Sequence, residues 1–124
     1  MIATTIEQSN HLLELGMPKE SANMCYTWQV IDKEYFPIPV ARKAYDDELP
    51  AWSLAALLNF LPEKIEPFYY ISLEKYVKGY RIAYLYTIGG ELQHLIQYTG
   101  ETAIDVTYDM VCTILENKLK KDKE

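Results

Sequence analysis

The stretch from Phe68 to Tyr98 constrains this chain's fold more than any other, because apolar and polar residues alternate along it and Lys78-Gly79 and Gly89-Gly90 break the alternation. A period of two marks strands with one buried face, and glycine-containing pairs between such runs mark hairpin turns. The stretch therefore reads as a three-stranded antiparallel meander. With Lys78-Gly79 as a two-residue loop, Val77 faces Tyr80, Leu73 faces Tyr84 and Tyr69 faces Ile88, and one face is almost wholly apolar. The opposite face sets Tyr70, Ser72, Glu74 and Tyr76 against Thr87, Leu85, Ala83 and Arg81. Both strands agree on the buried side, as a specified register requires.

The second turn has two solutions. A two-residue loop at Gly89-Gly90 turns Gln93 and Gln97 inward and Leu92 and Ile96 outward. A three-residue loop from Ile88 to Gly90 pairs Tyr84 with His94, Ile82 with Ile96 and Tyr80 with Tyr98. Burial selects the three-residue loop, with His94 turned inward. His94, Tyr84 and Tyr86 then form the inward polar cluster, a candidate pocket, although a histidine beside a phenol is ordinarily a satisfied core residue.

The remaining segments supply cover for one face. Thr4-Thr5-Ile6-Glu7 fits a capping box opening a helix over about 5–15, with Gly16 placed to end it. Cys25 to Ile31 reads as a strand. Tyr35 to Val40 carries Pro37 and Pro39, which confine it to an edge strand or an extended connection, because each proline lacks a ladder donor. Arg42 to Glu48 is polar and mobile in character. Its Asp46-Asp47-Glu48 run is placed to face the positive end of the following helix, and reads as a solvated acidic turn rather than a metal loop. Helices are expected over about 51–61, stopped by Pro62, and about 102–119, opened by Thr102 and Asp105. The expectation is one α+β domain over 1–124: a three- to four-stranded antiparallel sheet built from the 68–98 meander and the strand near 25–31, helices mainly on one face, and a charged tail from about 119.

Composition narrows function by exclusion. A net charge of -6 opposes phosphate backbones and anionic membranes. The lysines at 118, 120, 121 and 123 are interleaved with acids and suit the negative end of a helix. MIATTIEQ has neither a basic nor an apolar leader region, and no apolar run approaches the roughly 20 residues of a spanning helix, so a cytoplasmic protein is expected. Cys25 and Cys112 lie in separate apolar patterns without metal or redox spacing, which favours two buried thiols while leaving one disulfide open.

Three blocks carry a likeness to known proteins: the opening Glu7-Gln8-Ser9 through Met17-Pro18-Lys19-Glu20-Ser21-Ala22, the helix Pro50-Ala51-Trp52-Ser53-Leu54-Ala55-Ala56-Leu57-Leu58, and the closing Thr102-Ala103-Ile104-Asp105-Val106-Thr107-Tyr108-Asp109-Met110-Val111-Cys112. Together they resemble a family of small uncharacterised proteins of Bacteroides-type gut bacteria and their phages or mobile elements. The resemblance implies a bacterial or phage cytoplasmic origin and brings no activity with it.

No serine–histidine–aspartate order, paired-carboxylate motif, metal spacing or phosphate loop is present, so no enzyme, cofactor or metal is expected. The expected role is a protein-binding module whose contact candidates are Tyr70, Tyr76 and Arg81 on the outer sheet face, with Trp28 or Trp52, since aromatic and arginine side chains anchor interfaces. Two alternatives are single-stranded nucleic-acid binding, suggested by Lys78-Gly79-Tyr80, and a small enzyme with a pocket at His94, Tyr84 and Tyr86.

Overall fold

The computed structural model describes residues 2–31, 33–65 and 69–123, so the expected start of the meander at Phe68 lies outside the described residues. Helix α1 (Ile6–Glu14) opens at Thr5, whose hydroxyl accepts from the Gln8 amide while the Gln8 side chain accepts from the Thr5 amide. The capping box thus sits one residue later than expected. Thr4 is held elsewhere: its amide donates to the Trp52 carbonyl at 2.9 Å and its hydroxyl accepts from the Trp52 amide at 3.1 Å. At the other end Gly16, at φ 93°, closes the helix as anticipated, with the Gly16 amide on the Leu13 carbonyl and the Met17 amide on that of Leu12.

Strands β1 (Met24–Ile31) and β2 (Glu34–Val40) form a hairpin, and β3 (Leu49–Ala51) pairs with the other edge of β1. The order β2-β1-β3 leaves β2 at an edge, the position its two prolines require. It also corrects one expectation. The strand β1 pairs with β2 and β3 rather than with the meander, and belongs to a separate three-stranded sheet.

Helix α2 (Leu54–Phe60) starts three residues later than expected, because Leu49–Ala51 is taken by pairing with β1 and Ser53 caps the helix by accepting from the Ala56 amide. The second sheet has the order β4-β5-β6-β7, from β4 (Lys64–Ile65), β5 (Tyr69–Tyr76), β6 (Gly79–Ile88) and β7 (Glu91–Gly100). Helix α3 (Ala103–Lys123) follows, with the Thr102 hydroxyl accepting from the Asp105 amide. The charged stretch expected as a tail from about 119 continues this helix.

The α+β class is as expected, and so is the buried face at the centre of the meander, while Val77 and Ile88, expected on that face, are exposed beside the turns. Tyr69, Ile71, Leu73, Tyr80, Ile96 and Tyr98 pack around buried Ile82 and Tyr84, against Leu57 of α2 and Val106, Met110 and Val111 of α3. Leu12 of α1 and Trp52 join the same core. The Tyr84 hydroxyl donates to the Pro62 carbonyl at 2.6 Å, and the Tyr98 hydroxyl bonds that of Thr113. Fully buried apolar side chains each contribute roughly 1.5–3 kcal/mol relative to exposure, so this layer dominates the stability of the fold.

The registers differ from expectation in an instructive way. Between β5 and β6 the loop is Val77-Lys78, with Tyr76 opposite Gly79, Leu73 opposite Ile82 and Ile71 opposite Tyr84. The slip is two residues, so every side chain keeps its face. Between β6 and β7 the loop is Gly89-Gly90, at φ 55° and 83°, the positive pair a type I′ turn demands. Leu85 then pairs with His94 but Tyr84 pairs with Ile96, leaving Leu95 as the extra residue of a β-bulge. That residue restores Ile96 and Tyr98 to the core face while His94 stays on the outer one.

Candidate binding surface

His94 is exposed and lies opposite outer-face Leu85. Tyr84 is buried on the inner face, and Tyr86 stacks edge-on with Tyr69 at 4.6 Å between centroids. The sheet itself separates His94 from the two phenols, so the expected pocket does not form. Burial pushes the Tyr84 phenol up to about 12, which marks a core tyrosine.

The outer-face candidates do not converge either. Tyr70 is 56% exposed and Tyr76 is 42% exposed, but they lie six residues apart on β5, about 20 Å at strand rise. Arg81 pairs with Glu74 at 3.0 Å, so its charge is matched within the sheet. Trp52 is 0% exposed, and its indole N–H donates to the Ser21 hydroxyl at 3.0 Å. It is a core residue and leaves the list of contact candidates.

Trp28 is different, with 66% of its surface exposed although it sits within a paired strand. On β1, Tyr26 and Trp28 share one face, because alternate residues of a strand do. Across the hairpin Pro39 lies opposite Tyr26 and Pro37 opposite Trp28. Tyr26, Trp28 and Pro37, with Ile6, Asp47 and Leu49, line an open groove of about 450 Å³, within the size range of binding clefts. The Tyr26 hydroxyl donates to the Thr4 carbonyl at 2.7 Å, which ties one wall of the groove to the start of α1.

The other wall comes from the segment expected to be mobile. Arg42 holds Glu48 through two hydrogen bonds of 2.6 and 2.7 Å, the Tyr45 amide donates to the same carboxylate at 2.8 Å, and the guanidinium lies 4.3 Å from the Tyr45 ring centre. Lys19 reaches across to the carbonyls of Tyr45 and Asp46. Glu48 therefore faces Arg42 rather than a helix terminus. The Arg42 hydrogen bonds, then that of the Tyr45 amide, hold its carboxyl down at about 2. Bidentate arginine–carboxylate pairing is directional enough to fix a loop. Asp47, next in the chain to this pair, meets no cation among the described residues.

Cys25 and Cys112 are buried free thiols, and burial pushes both up, Cys112 to about 11, which withholds the nucleophilic thiolate. Among the described residues no cluster of histidine, cysteine, aspartate or glutamate is gathered as metal ligands would be, and no helix is long and apolar enough to cross a membrane. Sequence reasoning named Trp28 but missed Tyr26, Pro37 and Asp47. The alternation of Tyr26 with Trp28 and of Pro37 with Pro39 held the signal, once those two segments are paired as a hairpin. No family model, no curated protein and no solved structure matches the chain.

Proposed function

We propose that this chain is a small non-catalytic protein-binding module that makes contact through the groove at Trp28. The observation that carries the reading is a tryptophan held two-thirds exposed on a paired strand, beside a tyrosine, two prolines and a hydrogen-bonded acidic loop. A large aromatic left in water on a rigid support loses little conformational entropy on binding and gains the full desolvation of its ring. The resemblance in the three sequence blocks supports a bacterial, prophage or mobile-element setting in the cytoplasm. Affinity capture from such a host with the wild-type chain, Trp28→Ala and Tyr70→Ala tests the module. A partner retained by wild type and by Tyr70→Ala but lost by Trp28→Ala supports it; capture indifferent to Trp28 overturns it.

A further inference from the structure

We propose that the Trp28 groove takes an extended, proline-bearing peptide segment that carries lysine or arginine. This deepens the module reading and rests on it. The spacing of the aromatics is the first argument. Tyr26 and Trp28 are two residues apart on β1, about 6.8 Å along an antiparallel strand. A polyproline II segment rises about 3.1 Å per residue, so two of its residues span about 6.2 Å. A residue–proline dipeptide therefore matches the backbone interval between the two aromatic positions, and aromatic-lined grooves recognise such segments because the peptide is already extended before it binds.

The second argument is rigidity. Pro37 and Pro39 oppose Trp28 and Tyr26 across the hairpin, the Tyr26 hydroxyl is tied to Thr4, and Arg42 with Glu48 fixes the facing loop. A stiff ligand meeting a stiff groove keeps the ordering cost small.

Charge selects among occupants. Asp47 lines the groove, and the charge of Glu7 is close enough to Tyr26 to add to the effect of burial on its phenol. Glu48 on the same wall is paired with Arg42 and Lys19 is bound to the Tyr45 and Asp46 carbonyls, which leaves the carboxylates of Asp47 and Glu7 to meet a ligand's charge. A second copy of this chain, at net charge -6, meets repulsion there. A cationic segment meets attraction from the carboxylates and a ring face suited to guanidinium.

The test is a fluorescence titration of the full chain with a short synthetic peptide of proline pairs separated by arginines. Trp52 is buried and Trp28 exposed, so a blue shift on binding reports Trp28. The expected outcome is saturable binding below about 1 mM that weakens at least about tenfold when alanines replace the prolines or glutamates replace the arginines. Trp28→Ala should abolish the shift, and Asp47→Asn should weaken binding and lessen its dependence on salt. Absence of saturable binding, or equal binding of the alanine or glutamate peptides, overturns the ligand assignment. If the peptide fails while a partner protein still binds through Trp28, the ligand class is wrong and the module stands. If associations of every kind are indifferent to Trp28, both fall.

Discussion

A Cβ placed on Gly79 would lie 2.2 Å from the carbonyl oxygen of Gly100. Gly79, at φ 149°, opens β6 next to Tyr80, whose partner Gly100 ends β7. This contact explains why position 79 is a glycine: a backbone neighbour that cannot move aside excludes any side chain.

Gly79→Ala should therefore destabilise the protein by about 2–3 kcal/mol, combining steric overlap with backbone strain. Gly89→Asn should change stability by less than about 0.5 kcal/mol, because asparagine followed by glycine is a preferred type I′ turn pair. Urea midpoints of the two variants check the contrast, and equal losses would contradict the contact.

The Arg42–Glu48 pair makes stability depend on pH at the acid end. A carboxyl held at about 2 when folded and near 4.5 when unfolded contributes stability in full above 4.5, and loses it as pH falls through 2. The difference in urea midpoint between wild type and Glu48→Gln should be constant from neutral pH to about 5 and shrink steadily below that.

The two tryptophans should respond in opposite ways. Trp52→Ala removes a fully buried ring and should cost about 3–5 kcal/mol. Trp28→Ala should leave stability within about 0.5 kcal/mol of wild type. Thermal denaturation of both variants measures the difference, and a large loss for Trp28→Ala would mean that its ring supports the fold.

His94→Ala should likewise be nearly silent, within about 0.5 kcal/mol, because the bulge at Leu95 keeps His94 on the outer face. Tyr84→Phe should cost about 1 kcal/mol through the lost hydrogen bond to Pro62. At alkaline pH the sign is set by a phenol whose folded pKa, about 12, lies above its ordinary 10: its contribution is complete below 10 and is lost as pH rises through 12. Near-ultraviolet titration should show a late ionising phase in wild type that is smaller in Tyr84→Phe.

The sequence by itself determined the main helices and strands and the faces of β5 and β6. Alternation in β5 and β6 named Tyr69, Ile71, Leu73, Ile82 and Tyr84 as inward, and a two-residue slip in register left those faces unchanged because the pleat has a period of two. Thr102, Gly16 and the prolines of β2 worked locally, each through its own backbone chemistry. Tertiary structure decided the partners. Alternation states which side of β1 is apolar but not which strands occupy its edges, so the β2-β1-β3 sheet, and with it the Tyr26, Trp28 and Pro37 face, becomes visible only in the folded chain. His94 shows the same limit from the other side. Turn chemistry at Gly89-Gly90 and burial at Ile96 demand different uninterrupted registers, and one unpaired residue, Leu95, satisfies both. A bulge has no period of its own, so no pattern along the chain announces it.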